Sequence, residues 1–421
     1  MRKVVILTSA FPYLPGEQFL EDEIPYWSEA EGVEVILMPA TASGAVRDIP
    51  EDIEINLSLV GSSPLSRHRL MKMLWLPPAV TSRLFICEIR YLLSSNRLSL
   101  KNVLYALQAC ANVLIFQKKL NKYISKEGCI DIVYSYWNES LAYAACLLKR
   151  HGKVGSVISR AHGFDLYESR RKTHYMALKR QFIADFDKIF LLSEEAKSYF
   201  EQTYGTAAGI LGIAPLGVPL PSKVSARSRA GEAHIVSVSF CVAIKRLDKI
   251  LAAVSLFSDW HPEIQVKWTH IGDGPLLCEL KNKCAAEVFS RPRLNIELLG
   301  LKSNSYVKNF YSMQPVDVFI NASESEGMPV SIMEAMAAGV PAIAPNIGGM
   351  ANLITHENGK LLTTTPSIKE MTCALEEMLL GDNQEGLRLK AREHISSNFN
   401  ATRNYSNFVS KLKELPCRHG I

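Results

Sequence analysis

Short apolar runs alternate with longer amphipathic stretches along the whole chain, and this alternation predicts an α/β fold. In the first half these runs, rich in β-branched residues, occupy residues 4–8, 33–38, 130–134 and 188–192. In the second half they occupy residues 234–239, 265–271, 295–299, 316–321 and 341–344. Such runs are typical of parallel strands that helices cover on both faces. We therefore expect doubly wound parallel sheets.

A polar stretch rich in proline and serine, residues 215–233, separates the two halves and predicts a linker. The chain has 421 residues, which exceeds the roughly 250–300 residues at which single cores stop growing. The sequence therefore predicts two α/β domains, at 1–214 and 234–400. Apolar residues at helical spacing then predict an amphipathic helix within a carboxyl-terminal helix and tail, 401–421.

The composition excludes several classes of protein. With 48% hydrophobic and 21% charged residues the chain is ordinary for a globular protein, which rules out disorder, collagen and disulfide miniproteins. The nine cysteines form no Cys-x2-Cys pair and no zinc-type spacing, as is typical of thiols in a reducing cytoplasm. The apolar run near the start is short for a signal peptide, and the longest nearly apolar stretch, 103–116, is too short to span a membrane. The sequence predicts a cytoplasmic protein.

Positive charge is concentrated in residues 61–126, which hold eleven Lys and Arg residues against Glu88 alone, while the net charge of the chain is only +5. Large apolar residues such as Trp75 and Phe85 are interleaved with them. This make-up suits a segment that lies on an anionic membrane surface. Helices with apolar faces in the core and basic faces in water would have the same composition. Nucleic acid is not expected as a partner, because the aromatic platforms and known modules that bind it are missing.

The most informative segment is SESEGMPVSIMEAMAAGVPAIAPNIGGM, residues 323–350. A predicted strand ends near Asn321, a polar loop follows, and a helix is predicted to start at Pro329, whose ring suits the first helical position. Gly339 then supplies a left-handed stop, and Pro341 prevents continuation. Unpaired N–H groups and the positive end of the dipole make such a helix start a site for an anion, for which a diphosphate is the obvious candidate.

Two glutamates in this segment, Glu326 in the loop and Glu334 inside the helix, have the spacing Glu-x7-Glu. Ionised carboxylates are strong acceptors, so Glu326 can bind sugar hydroxyls and Glu334 can bind a pair of vicinal ribose hydroxyls. The alternative is that the dipole alone favours Glu326 near the helix start, and that Glu334 is a solvated helix residue.

The segment SESEGMPVSIMEAMAAGVPAIAPNIGGMANLI resembles the donor-binding signature of glycosyltransferase family 4, retaining enzymes of the GT-B fold. Weaker matches in the same order are FPYLPGEQFLEDEI (11–24), SRAHGFDLYE (159–168), APLGV (214–218), IKRLD (244–248) and HIGDGPLLCEL (270–280). The resemblance implies two Rossmann-like domains facing across a cleft. The first would bind the acceptor and the second the nucleotide sugar.

The resemblance also implies roles for residues of the second domain. Glu326 would contact the donor sugar, Glu334 the nucleotide ribose, and the backbone of Gly327 and Met328, ahead of Pro329, the phosphates. Lys245 corresponds to the cation that neutralises the leaving diphosphate, with Arg246 beside it. Family members commonly have an Arg five residues before that Lys, where this chain has Phe240. Either Arg246 supplies the missing charge, or Lys245 works alone and turnover is lower. The alternative is that Lys245 and Arg246 are merely a solvated pair of basic residues after a strand.

Four further residues follow from the resemblance. His162 matches a histidine that family members project toward the reacting sugar, at the carboxyl end of a predicted strand where α/β sheets bind ligands; a purely structural histidine is the alternative. Gly16 lies in the loop that would close over the donor phosphates, or in a simple turn after Pro15. Gly272 would line the donor cleft in a strand-to-helix turn, and backbone contacts to the base are expected near Lys302.

The implied reaction transfers a hexosyl group from a UDP- or GDP-linked sugar to a hydroxyl of a saccharide acceptor with retention. It would use neither a metal nor a cofactor, because the helix dipole and Lys245 would take the ion's part. Bacterial surface polysaccharide synthesis is the expected process, with an acceptor that could be linked to a lipid diphosphate. We expect the enzyme at the inner face of the plasma membrane.

Two alternatives share the expected fold. One is a nucleotide-sugar 2-epimerase, which needs no second substrate. The other is a catalytically silent sugar-nucleotide binder, which the Phe240 departure keeps open. A Rossmann oxidoreductase is disfavoured, because no Gly-x-Gly-x-x-Gly follows the first strand.

Overall fold

The computed structural model describes residues 1–14, 16–61, 76–205 and 209–415. They form two compact units, one of Met1–Pro215 with the chain from Tyr405 onward and one of Leu216–Asn404, called here the first and second domain. The predicted linker is grouped with the second domain from Leu216 on. Its backbone is hydrogen-bonded there, from Val218 N to Phe399 O at 2.8 Å and from Ser225 N to Ala338 O at 2.9 Å.

The first domain contains a parallel seven-stranded sheet of order β3-β2-β1-β4-β5-β6-β7. Its strands are β1 (Arg2–Thr8), β2 (Val33–Pro39), β3 (Glu54–Ile55), β4 (Ile130–Ser135), β5 (Val154–Arg160), β6 (Lys188–Leu191) and β7 (Leu211–Ile213). Its helices are α1 (Ile24–Ser28), α2 (Arg83–Ser94), α3 (Leu100–Glu127), α4 (Ser140–Arg150), α5 (Gly163–Leu166), α6 (Lys179–Phe182) and α7 (Glu194–Tyr204).

The second domain contains a parallel six-stranded sheet of order β10-β9-β8-β11-β12-β13. Its strands are β8 (Glu232–Val238), β9 (Gln265–Ile271), β10 (Leu294–Leu298), β11 (Val318–Ile320), β12 (Ala342–Pro345) and β13 (Gly359–Leu362). Its helices are α8 (Leu247–Trp260), α9 (Leu277–Ser290), α10 (Asn304–Met313), α11 (Val330–Ala337), α12 (Met350–Leu353), α13 (Ile368–Leu380) and α14 (Gln384–Asn398).

The last helix, α15 (Ala401–Lys413), starts in the second domain and continues in the first. Its apolar residues Tyr405, Phe408, Val409 and Leu412 are buried, as the predicted amphipathic helix requires. Phe408 lies against the aromatic ring of Trp27, with centroids 6.3 Å apart. The helix therefore completes the core of the first domain.

Every strand that the apolar runs predict is present, with ends shifted by at most two residues. Both sheets are covered on both faces: Val5 and Leu7 of β1 belong to one core cluster of the first domain, and Val4 and Ile6 belong to another. This two-sided burial explains why the strands read as continuous apolar runs instead of alternating ones. The predicted α/β class with doubly wound parallel sheets is confirmed.

Each sheet has a topological switch point, where the strand order reverses. It lies between β1 and β4 in the first domain and between β8 and β11 in the second. Ligands of open α/β sheets bind outside the carboxyl ends of the strands at such a point, because the loops on either side diverge there. The loops after these four strands are therefore the places to look for a site.

A buried ion pair stabilises the switch region of the first domain. Arg160, the last residue of β5, donates from Nη1 to Glu23 Oε2 at 2.6 Å, and both side chains are fully buried. The guanidinium also lies 4.0 Å from the centre of the Phe408 ring. Since an unpaired buried charge is costly, each partner fixes the other, and the pair ties α1 to the end of β5.

No helix among the described residues is long and apolar enough to cross a membrane. The basic segment 61–126 is described except for residues 62–75, and its described part forms α2 and α3. Arg83 and Arg90 of α2 and Lys101 of α3 are exposed, so these basic residues face solvent.

Candidate active site

The candidate site of the second domain is formed by the loops that follow β8 and β11, the two strands that flank its switch point. The first loop carries Lys245 and the second carries Glu326. The two loops are joined through their backbones, because Glu324 N donates a hydrogen bond to Ile244 O at 2.9 Å. Residues 81 positions apart in the sequence thus become neighbours at one edge of the sheet.

The side chains of Lys245 and Glu326 form an ion pair across these loops. Ser323 Oγ also donates to Glu326 Oε1, at 2.7 Å, and Asn321 Nδ2 lies 3.4 Å from the same oxygen. Only 10% of the Glu326 side chain and 22% of the Lys245 side chain are exposed. The site thus holds a partly desolvated cation and a carboxylate that three neighbours orient, which are the groups needed to bind a phosphate and a hydroxyl.

Arg246 lies beside Lys245 but is held by carboxylates. Its guanidinium is 2.5 Å from Glu324 Oε1 and 3.0 Å from Asp248 Oδ2, and its backbone adopts φ +48°. Phe240, at the position where the resemblance expects an Arg, is 51% exposed. Of the cations in the loop after β8, Lys245 is therefore the one that contacts Glu326. A cavity of about 370 Å³ adjoins Arg246 and Glu324 between the starts of α8 and α9.

The glycines of the NIGGM segment are required by close backbone contact with the Glu326 loop. A Cβ atom on Gly348, whose φ is +53°, would lie 2.0 Å from Glu326 O, and one on Gly349 would lie 2.8 Å from Gly327 O. Gly349 N donates to Gly327 O at 2.8 Å. The loop after β12 thus supports the loop after β11, which explains why this glycine pair accompanies the glutamates in the sequence.

Helix α11 starts directly behind this loop. Pro329 is its N-cap and Val330 its first residue, so the predicted position of Pro329 inside the first turn is wrong by one residue. The N-cap makes no side-chain hydrogen bond, as expected for proline, which leaves the helix start open to another acceptor. Gly327 and Met328 lie immediately before this start. The helix ends as predicted, with Gly339 at φ +76°.

Glu334 lies inside α11 and is buried, which excludes the alternative of a solvated helix residue. With the Asn304 amide oriented to match its neighbours, the Asn304 nitrogen donates to Glu334 Oε1 at 2.8 Å and its oxygen accepts from Lys308 Nζ at 3.1 Å. Burial and the nearby charge of Glu334 raise the pKa of the Tyr311 hydroxyl. Asn304, the first residue of α10, thus positions the buried carboxylate of Glu334 on α11.

Gly272 and Lys302 lie in the loops after β9 and β10. Gly272 N donates to Gly300 O at 2.9 Å, and a Cβ on Gly272 would lie 1.8 Å from Ser239 O. Gly272 therefore lets the loops after β8, β9 and β10 pack together. Lys302 is exposed, and its Nζ lies 5.2 Å from the centre of the Tyr306 ring on α10.

His162 lies in the first domain, two residues after β5, and is buried. Its ring packs on Tyr136 and Trp137, with centroids 4.5 and 4.8 Å apart. Among the described residues neither ring nitrogen has a hydrogen-bond partner. Burial, and secondarily the charge of Arg160, lowers the pKa of His162 well below its usual value, so the imidazole is neutral at pH 7. A neutral ring with free nitrogens can exchange hydrogen bonds with a sugar hydroxyl.

Gly16 packs against the end of β1, where its Cβ would lie 2.6 Å from that of Ala10. The next residue, Glu17, binds the backbone that follows β1: its carboxylate accepts from the N–H groups of Ser9, of Ala10 at 3.0 Å and of Phe11 at 2.8 Å. Consecutive N–H groups at a switch point form an anion-binding nest. Here a side chain of the protein fills it.

A second polar cluster, which the sequence did not predict, lies near the switch point of the first domain. Asp165 accepts hydrogen bonds from the backbone of His162 at 2.6 Å and of Asn138 at 2.7 Å. Lys179 Nζ donates to Asn138 Oδ1 at 2.5 Å. Burial raises the pKa of the Asp165 carboxyl and lowers that of the Lys179 ammonium. The one sequence signal close to this cluster is the match of residues 159–168 to the family pattern.

Gly16 and His162 belong to the first domain, whereas Lys245, Glu326 and the other named candidates belong to the second. The structure brings Lys245 into contact with Glu326, and Arg246 into contact with Glu324 in the same loop after β11. In the part of the chain that is described, no group of three or more His, Cys, Asp and Glu side chains is arranged to hold a metal ion.

Comparison with known proteins places these features in a family context. Residues 222–399 match the sequence model of the family "Glycosyl transferases group 1". The chain is 27% identical to the exopolysaccharide phosphotransferase SCO2592 of Streptomyces coelicolor over 47% of its own length and 20% of that protein. It is 30% identical to the UDP-Gal:alpha-D-GlcNAc-diphosphoundecaprenol alpha-1,3-galactosyltransferase of Escherichia coli over 34% of its own length and 35% of that protein. The chain thus spans well under half the length of either relative.

Several solved structures of low sequence identity match nearly the whole chain. Sucrose-phosphate synthase from Thermosynechococcus elongatus has a TM-score of 0.71 at 14% identity and covers 98% of this chain and 99% of that one. Anabaena HepE, solved with UDP and glucose, has a TM-score of 0.64 at 13% identity, and the match covers 99% of this chain and 100% of that one. The fold of the two parallel-sheet domains is that of GT-B glycosyltransferases, and the family match lies in the second domain.

Proposed function

We propose that this protein is a retaining glycosyltransferase that moves a hexosyl group from a UDP- or GDP-linked sugar to a hydroxyl of a saccharide acceptor in bacterial surface polysaccharide synthesis. The observation that carries the proposal is the Lys245–Glu326 pair beside the open start of α11. One cation, one oriented carboxylate and a helix start at a switch point together form a site for a sugar diphosphate.

In the proposed mechanism the donor replaces the internal ion pair. The diphosphate takes the Lys245 ammonium and the N–H groups at the start of α11, and Glu326 turns to hydroxyls of the donor sugar. Glu334, deeper in the helix, binds the ribose hydroxyls. As the bond from the anomeric carbon to the phosphate oxygen breaks, negative charge grows on the diphosphate, and a cation that is already in place stabilises it. We propose that Lys245 and the helix start do this without a metal.

The acceptor binds to the first domain in this proposal. The acceptor hydroxyl oxygen forms its bond to the anomeric carbon on the face that the phosphate leaves, and the departing phosphate oxygen takes the hydroxyl proton. This geometry retains the anomeric configuration and needs no separate base. His162, neutral because it is buried, orients the reacting sugar through a hydrogen bond and adds no charge to the site.

The names of the matched proteins support the choice of substrates. The Escherichia coli relative is named for transfer from UDP-galactose to a sugar on diphosphoundecaprenol, and HepE was solved with UDP and glucose. A UDP donor and an acceptor that is linked to a lipid diphosphate are therefore the first substrates to test.

The two members of the ion pair are expected to respond differently to substitution. Lys245→Ala removes the cation, so the affinity for UDP should fall by about tenfold or more, the value of one charged hydrogen bond. Glu326→Ala removes the internal competitor of the diphosphate, so the affinity for UDP should be kept or increased, while the additional affinity due to the sugar of UDP-glucose is lost. Titration calorimetry with UDP and UDP-glucose, and with the guanine analogues, measures both effects.

The matched control is the exposed ion pair of Lys360 and Glu377 in the same domain, whose Nζ and Oε2 atoms are 2.6 Å apart. Alanine at either position should leave nucleotide affinity unchanged. Equal losses in the Lys245 and Glu326 variants, or no binding of any nucleotide to the wild-type protein, would contradict the proposed site.

Gly348 tests whether the Glu326 loop must keep its position. Gly348→Ala places a Cβ where it would lie 2.0 Å from Glu326 O, so the loop must shift. A misplacement of about 1 Å can cost as much as about 100-fold in turnover, and donor hydrolysis should fall toward this extent. Gly231→Ala is the control, because Gly231 also has a positive φ, +80°, but nothing lies within 4 Å of its Cβ position. Similar losses in both variants would show that strain alone matters.

We also propose that the first domain contacts an anionic membrane surface from the cytoplasmic side. On α2 the exposed side chains of Ile86 and Leu93 lie beside the exposed Arg83 and Arg90. The same mixture continues into α3 with Leu100, Lys101 and Leu104. Such a face can bind an anionic membrane, because its apolar side chains enter the headgroup region and its basic side chains pair with lipid phosphates.

Replacing Arg83, Arg90 and Lys101 together by Gln should weaken binding to phosphatidylserine-containing vesicles. Each basic residue near the surface contributes about 1 kcal/mol, so the loss should be on the order of 100-fold. Vesicle co-sedimentation at low salt measures it.

A control variant with Lys281, Lys369 and Lys390 replaced by Gln removes the same charge from exposed positions of the second domain. It should retain vesicle binding. The membrane proposal fails if the wild-type protein does not bind the vesicles, or if the two triple variants lose affinity equally.

A further inference from the structure

A cavity of about 140 Å³ lies inside the first domain, at the carboxyl end of β4. Its walls come from the middle of α3, the start of α4 and the segment before α6. The polar side chains that line it include Asn112, Asn138, Glu139, Arg171 and Lys179. Since a single water needs about 10–15 Å³, the cavity has room for a much larger group.

Three buried polar atoms of this cavity lack a hydrogen-bond partner among the described residues. They are Asn112 Oδ1, Asn138 Nδ2 and Arg171 Nε. Asn138 is fully buried, and its oxygen atoms are already used, because both accept hydrogen bonds from Lys179 Nζ, at 2.5 and 2.9 Å. Buried polar atoms without partners are rare in folded proteins, so donors and an acceptor that converge on one cavity indicate a polar ligand.

The cavity also contains two basic side chains, each near a carboxylate. Lys179 is buried within electrostatic range of the buried Asp165, which the backbone N–H groups of Asn138 and His162 hold in place. Arg171 donates to Glu139, and its guanidinium lies 3.7 Å from the centre of the Phe164 ring.

The two carboxylates differ in exposure. Asp165 is fully buried, whereas 43% of the Glu139 side chain is exposed against 14% of Arg171. Glu139 can therefore turn into water when an incoming anion takes its place, so the mostly buried Arg171 guanidinium is not left unpaired. Its departure leaves the Arg171 guanidinium facing the cavity, with a fork of N–H groups that matches a carboxylate or a phosphate.

We infer that this cavity binds an anionic group, a carboxylate or a phosphate, of the sugar acceptor, and that Glu139 occupies the position of that group in the free protein. Arg171 holds the anion, Asn138 Nδ2 donates to it, and Asn112 accepts from a hydroxyl of the same sugar. The start of α4, whose N-cap Glu139 makes no side-chain cap hydrogen bond, faces the same place.

This inference rests on the proposed transferase function and specifies its acceptor as an acidic or phosphorylated saccharide. Asp165 links the cavity to His162, because it accepts from the backbone N–H groups of both His162 and Asn138. An anion that is held at Arg171 therefore anchors the acceptor near His162, the histidine assigned to the reacting sugar, with Asp165 as the residue that connects the two places.

The test is a calorimetric titration of the full chain with sodium glucuronate, glucose 6-phosphate and neutral glucose. We expect binding of at least one of the anionic sugars and none of glucose; glucuronate or the phosphate ester, whichever binds, identifies the source of the charge. Arg171→Gln should weaken that binding about tenfold or more, the value of a charged hydrogen bond. Glu139→Gln should strengthen it, because the internal competitor is gone.

Opposite effects of the two substitutions separate a binding site from a structural ion pair, whose loss would affect both variants alike. Arg150→Gln is the matched control: Arg150 lies at the other end of α4, forms an exposed pair with Asp185, and should leave the affinity unchanged. Unfolding temperatures establish that the variants fold. If neither anion binds, or if Glu139→Gln weakens binding as Arg171→Gln does, the inference is wrong. Titration with UDP alone tests the transferase proposal separately.

Discussion

The Lys245–Glu326 ion pair is the interaction on which the account of the second domain depends. It joins the loops after β8 and β11 at the switch point, together with the backbone hydrogen bond from Glu324 N to Ile244 O. Ser323 and Asn321 orient the carboxylate, and the glycines at 348 and 349 let a third loop support it from behind. A cation in a partly desolvated place needs a counter-charge, and in the free protein the neighbouring loop provides it.

The same arrangement occurs at three places that the fold would offer to an anion. Glu326 holds Lys245, Glu139 holds Arg171, and Glu17 holds the backbone N–H groups of Ser9, Ala10 and Phe11. In each case a carboxylate of the protein satisfies donors that lie at the carboxyl end of a sheet. Binding of an anionic ligand is then an exchange of one carboxylate or phosphate for another, so affinity reflects a difference between two similar interactions and selectivity depends on the additional hydroxyl contacts.

Much of the fold follows from local pattern alone. The nine apolar runs each correspond to a strand, because a strand covered on both faces has no polar alternation, and Gly339 marks the end of α11 as expected. The strands β3, β5, β7 and β13 match none of these runs. Glu326 and Glu334 were found because their signals lie within one short segment. The cavity around Arg171 and Lys179 was not, since its residues come from α3, the loop after β4 and the segment before α6, which only the folded chain brings together. Pairing of Arg246 with Glu324 likewise depends on contacts between distant loops.

A crystal structure of the protein with a bound nucleotide sugar is the most direct test of the central claim. The account predicts that Lys245 Nζ leaves Glu326 and lies within hydrogen-bond distance of a diphosphate oxygen, while the Glu326 carboxylate contacts hydroxyls of the sugar. A complex in which the ion pair stays closed and the diphosphate lies away from the start of α11 would contradict it.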